Sequence, residues 1–186
     1  MIMRLLFALG SLAILGALLY FQDADNGAPE GPSADVGAVA PGYSAIHAEL
    51  IETGEDGRPL YRLNAERIEQ PQPQGTVYLT EPKLDYVPEK GNPWTLTAQS
   101  GQMPQDAHTA ELHGDVHAEG MPSGSGTVMR INTEDLHLDM TSQLATSPTM
   151  VHVDWGGYRL DGRGMRADLK NDRLQLASKV RGVLLH

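Results

Sequence analysis

Tyr61-Arg62-Leu63-Asn64-Ala65-Glu66 is the stretch on which the fold turns, because its pattern returns three times. Trp94-Thr95-Leu96-Thr97-Ala98-Gln99, Met129-Arg130-Ile131-Asn132-Thr133-Glu134 and Tyr158-Arg159-Leu160-Asp161-Gly162-Arg163 repeat it: a bulky residue, Arg or Thr, an aliphatic, a short polar residue, a small residue, then Glu, Gln or Arg. The copies start 33, 35 and 29 residues apart, a period that suits a repeated hairpin unit. In three copies a second leucine follows the first by 16 positions, at Leu79, Leu112 and Leu176, and valines at Val116 and Val180 follow the last two by four. Strand side chains alternate with period two, so even spacings keep one face inward. A chance echo among short alternating strands is the competing explanation.

Outward from the hexamers, nine prolines and many Gly, Asn and Asp turn signals separate alternating segments between Tyr43 and His186. RPLYRLNAE, TVYLTEPKLDYV, NPWTLTAQS, TAELHGDVHAE, GTVMRINTEDLHLDM, TMVHVDW, GYRLDGRG and RLQLASKVRGVLL each read as a strand or hairpin arm, and helical periodicity is weak. The expectation is an all-β antiparallel domain over residues 43–186, an incompletely closed jelly roll or solenoid. Its inward face comprises Leu63, Leu79, Leu96, Met103, Leu112, Val116, Ile131, Leu138, Val151, Leu160, Leu174, Leu176 and Val180, almost wholly aliphatic. With no Phe in this domain and few other aromatics, an open trough for alkyl chains and an ordinary packed core both fit that face.

The N-terminus has a different character. Leu5 to Phe21 is an uncharged run of 17 residues with Arg4 before it and Asp23, Asp25 and Glu30 after it. As a helix it spans roughly 25 Å, just enough to cross a bilayer, and the flanking charges orient it with the N-terminus inside. Its length, and the lack of a nearby small-residue cleavage site, favour a retained anchor (residues 1–21) over a signal peptide. Residues 22–42, rich in Asp, Gly, Ala and Pro, read as a flexible linker. The bulk of the chain is thereby expected outside, on the far side of the membrane from the cytoplasm.

Charge and composition exclude several chemistries. The chain carries 14 Lys+Arg, 24 Asp+Glu and no Cys, which removes nucleic-acid binding by bulk charge, disulfides and thiolate chemistry. It has neither a G-x-S-x-G nor a P-loop sequence, and we expect no enzyme and no cofactor. His113-Gly114-Asp115-Val116-His117 places two imidazoles and a carboxylate on one face of a strand. Neighbours there stand about 6.6 Å apart, too far for a compact tetrahedral metal site, so a solvated face is expected. Residues 159–186 hold seven basic groups and three acids, a local +4, against six and 17 over residues 43–158, a local −11. That asymmetry suits steered head-to-tail docking, or merely an edge strand protected by Lys and Arg.

YRL at Tyr61, TVYLTEP at 76–82, PW-x-L-x-A at 93–98, L-x-G-x-V from Leu112 to Val116, Met165-Arg166 and KVRG at 179–182 together resemble the LptC family of lipopolysaccharide export proteins. Order and spacing along nearly the whole chain carry the likeness, and the N-terminal anchor and length are similar too. The resemblance implies a periplasmic β-jelly-roll on one transmembrane helix, passing lipopolysaccharide from the inner-membrane ABC transporter LptBFG to the periplasmic bridge protein LptA. The inward residues from Leu63 to Leu176 then become groove lining. The terminal strand around Lys179, Val180, Arg181 and Val183, an edge with free backbone groups, becomes the place where LptA adds a strand. A membrane-anchored carbohydrate-active enzyme on a β-scaffold and a purely structural adaptor are the competing classes.

Overall fold

The computed structural model describes residues 42–54, 57–89, 91–104 and 108–184. The apolar run at residues 5–21 and the linker up to residue 41 lie outside the described residues. Among the described residues no helix is long and apolar enough to cross a membrane.

The described chain forms one antiparallel sheet of eleven strands: β1 (Tyr43–Thr53), β2 (Pro59–Gln70), β3 (Val77–Thr80), β4 (Lys83–Tyr86), β5 (Trp94–Thr97), β6 (Ser100–Met103), β7 (Thr109–Gly120), β8 (Met129–Asp139), β9 (Leu144–Trp155), β10 (Tyr158–Asp168) and β11 (Arg173–Leu184). β2 pairs with β1 on one side and with both β3 and β4 on the other; β3 continues to β6 and β4 to β5, and both of these reach β7. From β7 the sheet runs through β8, β9 and β10 to β11. The two free edges are therefore β1 and β11.

The hexamers fall on β2, β5, β8 and β10 in matching register. Leu50, Leu63, Leu84, Leu96, Ala118, Ile131, Val153, Leu160 and Gly182 form one unbroken cross-strand row, and it contains the aliphatic of every hexamer. A row set by four separate segments is the signature of a structural repeat rather than a chance echo.

A line of irregularities crosses the sheet at the end of each hexamer. It passes through His47 (φ 50°), Glu81 (φ 47°), Gly114 and Asp115 (φ 75° and 48°), Gly164 (φ 77°) and Lys179 (φ 53°). Register shifts mark it between His113 and Val116, Thr133 and His137, and Arg163 and Met165. Left-handed residues and bulges bend a strand sharply, and here the bends are aligned. Backbone bonds carry the line across the broken strands: Glu81 N–H donates to Gln99 O and Gln99 N–H to Gly114 O, both at 2.9 Å. Where β8 meets β9 the ladder is replaced by hydroxyls. Thr133 Oγ1 lies 2.8 Å from Ser147 Oγ and 2.9 Å from Thr149 Oγ1 and donates to Met150 O at 3.0 Å, keeping these buried polar groups partnered.

The sheet is thus creased into two layers that face each other across the core. Trp94, Leu96, Ala118 and Ile131 from one side of the crease line the same gap as Leu136, Leu138, Ala145 and Met165 from the other. Two segments with little alternation join the sheet beyond those read from sequence: β1, and the polar Ser-Gly-Gln-Met of β6. β9 and β10 also extend past the crease.

Candidate functional site

Nine of the expected inward residues, Leu63, Leu79, Leu96, Met103, Leu112, Val116, Ile131, Leu138 and Val151, are buried. Leu160, Leu174 and Leu176 are half-buried against the same core. Val180 is exposed, because β11 is the outermost strand and its second half lies beyond the Lys179 bend.

The interior is not as purely aliphatic as its sequence suggested. Tyr61, Tyr86 and Trp94 are buried in it, in a row that runs Tyr61, Tyr86, Trp94, Gly120, Met129, Trp155, Tyr158. Each hexamer opens on this row, two residues before its aliphatic, so the period-two rule already placed Tyr61 and Trp94 inward, whereas Tyr158, near the β11 edge, is exposed. Gly120 is required there: a Cβ on it would stand 2.4 Å from the Trp94 ring, so the indole lies directly over the bare backbone.

The aromatic row borders the seam opposite the crease, where the free margins of the two layers meet. Polar side chains reach across it among the described residues. Tyr86 Oη donates to Met140 O at 3.4 Å, Lys170 Nζ to Glu89 Oε2 at 3.2 Å and Gln143 Nε2 to the same carboxylate at 3.5 Å. Burial, with Asp139 and Glu89 adding to it, pushes the Tyr86 phenol up to about 12. Between the layers the core is almost filled, with gaps of about 20 and 30 Å³. At one end of the seam it opens into a cavity of about 570 Å³.

The outer face is a lattice of cross-strand ion pairs. Arg62 bonds Glu49 at 2.6 Å, Arg130 bonds Glu119 at 2.8 Å, and Arg159 grips both oxygens of Asp154 at 2.7 and 2.9 Å. The Arg159 hydrogen bonds hold the Asp154 carboxyl below the usual carboxylate range. The His113 to His117 segment departs from simple alternation, because Gly114 and Asp115 sit on the crease. His113 instead pairs with Asp135 across the sheet at 2.8 Å, and His117 bonds Asn132 and lies 3.2 Å from Asp115. Asn132 first, then Asp115, raises the His117 pKa. No group of residues that could hold a metal occurs among the described residues.

At the β11 edge, Lys179, Val180, Arg181 and Val183 are all exposed. Lys179 and Arg181 make no ion pair among the described residues. Opposite it in the sheet order, β1 exposes Tyr43, Ile46, Leu50 and Ile51.

Comparison with known proteins agrees with this architecture. The lipopolysaccharide export system protein LptC of Escherichia coli K12 is 25% identical over 142 residues, 76% of this chain and 73% of that protein, and its Shigella flexneri counterpart matches equally. In fold the chain is similar to the crystal structure of LptH from Pseudomonas aeruginosa, described as the LptA-homologous periplasmic component of a lipopolysaccharide transport device. The TM-score is 0.57 at 13% identity, covering 68% of this chain and 95% of that one. The family described as lipopolysaccharide-assembly, LptC-related, matches residues 9–185. With the family match extending over almost the whole sequence, the chain belongs to the LptC family, a family of lipopolysaccharide transport components and not of enzymes.

Proposed function

We propose that this protein receives lipopolysaccharide from the inner-membrane transporter LptBFG and passes it along the space between its two layers to LptA. Acyl chains follow the buried row around Leu63, Leu96, Leu112 and Leu138, while the saccharide stays outside. The observation that carries this reading is a continuous apolar interior whose layers, among the described residues, meet at the seam through side chains such as Tyr86 and Lys170 and not through strand pairing. Parting that seam about the crease exposes the interior without breaking a strand ladder. The filled core is consistent with this: an apolar slot left open to water would collapse on itself. The residue 5–21 run anchors the chain in the inner membrane, and β11 offers LptA a sheet edge on which Lys179 and Arg181 make no ion pair among the described residues.

Photo-crosslinking tests the path. A photoreactive residue at Leu112 or Leu138 of the full chain should label lipopolysaccharide in cells, and one at outward Glu81 should not. Equal labelling inside and outside would overturn the path. Crosslinks to partner proteins alone would favour a structural adaptor.

A further inference from the structure

The row of side chains that borders the seam changes character along its length. At Trp94 and Met129 the other layer closes over it: Leu169, Arg173 and Leu174 line the same narrow gap as these two. Past Met129 the row continues to Trp155 and Tyr158, which are 41% and 55% exposed. Both still belong to the inward side of their strands by alternation. Val151 and Val153, of the same parity as Trp155, are buried, and Leu160, two positions after Tyr158, packs on the core. The two aromatics stand opposite each other across the turn Gly156-Gly157, whose residues have φ 58° and 82°. A two-residue turn with positive φ at both positions matches the twist of its strands, and it holds the flanking pair side by side, with Cβ atoms about 5 Å apart. Neither the Trp155 indole N–H nor the Tyr158 hydroxyl has a hydrogen-bond partner among the described residues.

From this pair we infer a saccharide platform: Trp155 and Tyr158 stack on a sugar ring of the glycolipid where its acyl chains enter the interior. This rests on the reading of the interior as a lipid path and says which residues meet the saccharide. A lipid whose chains run inside and whose sugar stays outside must cross between the two at the seam. Here the seam-bordering row is uncovered and yet continuous with the core. A pyranose presents C–H groups on its faces and hydroxyls around its rim. The C–H groups suit the electron-rich face of an aromatic ring, and the indole N–H and the phenol give the hydroxyls polar partners. Other occupants fit less well. A partner strand cannot add at this place, because β9 and β10 are already paired on both sides, β9 with β8 and β10, and β10 with β9 and β11. A charged headgroup finds no charge of one sign to hold it. Asp154 and Arg159, which flank the pair, bond each other on the outer face at 2.7 and 2.9 Å, and Asp172 and Arg173, in the gap beside Met129, are of opposite sign. A bare acyl chain would take water from the two polar tips and return nothing.

The test uses the full chain held in amphipol. Dodecyl maltoside is the sugar-bearing amphiphile and dodecyl octaethylene glycol ether its sugar-free counterpart, each below its micelle concentration. The chain has two Trp, and Trp94 is buried, so acrylamide quenching reports Trp155. The maltoside should protect Trp155 from acrylamide and the ether should not. Trp155→Leu and Tyr158→Leu, at exposed positions that leave the core intact, should each weaken maltoside binding about fivefold, read by displacement of a fluorescent apolar probe, and leave ether affinity within about twofold. Equal protection by the two amphiphiles, or variants that weaken both alike, would make the pair ordinary apolar lining; either result overturns the platform and leaves the lipid path standing. Variants that keep full maltoside affinity overturn it too, and loss of LptA pull-down in those same variants would mark the pair as a protein contact. If neither amphiphile displaces the probe, the lipid path itself fails, and the platform with it.

Discussion

The two edges of the sheet are built from opposite materials. β1 carries Glu49 and Glu52 with no Lys or Arg, and leaves Ile46, Leu50 and Ile51 on view; β11 carries Arg173, Lys179 and Arg181 with no acid. An unpaired strand edge is a template for another strand, and proteins usually blunt it with charge or distortion. Both edges here are bent by a left-handed residue, His47 in one and Lys179 in the other. Neither is covered by another described element. The difference teaches that charge sign, more than shape, distinguishes one end of this sheet from the other, and that each edge suits a partner edge of the opposite sign.

Removing one edge is the strongest way to break that comparison. Deleting residues 178–186 should abolish pull-down of LptA while leaving membrane recovery intact, because β11 lies at one edge of the sheet and the apolar run at the far end of the sequence. Full retention would place the acceptor elsewhere. Val180→Pro should weaken the same pull-down in part, since proline removes a backbone donor and disfavours the left-handed conformation of Lys179 before it.

Edge and centre should also differ sharply in stability. Leu138 is fully buried and Leu50 is 43% exposed. Leu138→Ala should cost about 3 kcal/mol in denaturant unfolding, and Leu50→Ala under about 1 kcal/mol. Comparable costs would mean that β1 is covered in the working protein.

Titration sharpens the contrast between seam and outer face. Tyr61 and Tyr86 have raised folded pKa values, Tyr86 to about 12, so their contribution is complete below the ordinary phenol value and is lost as pH rises through the folded one. Unfolding followed by circular dichroism should show stability falling between roughly pH 10 and 12, and Tyr86→Phe should shrink that fall. The outer face acts at the other end of the scale. Asp154 has a lowered pKa because Arg159 bonds it, so its contribution is present at neutral pH and fades as pH drops below the usual carboxylate value. Arg159→Gln should flatten that acid limb, and only slightly for so exposed a pair.

The strand class, the repeat and most of the inward residues were legible in the amino-acid sequence. Alternation is a local property, and burial on one face writes it directly into the residues; the hexamers at Tyr61, Trp94, Met129 and Tyr158 therefore located four strands in the correct mutual register. Two of the three buried aromatics, Tyr61 and Trp94, were available by the same rule, as the first residues of their hexamers. The crease was not legible. Gly114, Asp115 and Gly164 on it are residues that favour positive φ, but His47, Glu81 and Lys179 are not, and there the positive φ goes with the position in the sheet. The Ser-Gly-Gln-Met of β6 has no pattern of its own and is a strand because β3 and β7 flank it. Likewise Trp94 and Leu174, 80 positions apart in the chain, line one gap only because the creased sheet brings its margins together. The sequence by itself determined which residues face inward along each strand, because that depends on two-residue spacing. Tertiary structure decided where the sheet bends and which inward side chains remain uncovered, because both depend on contacts between segments distant in the chain.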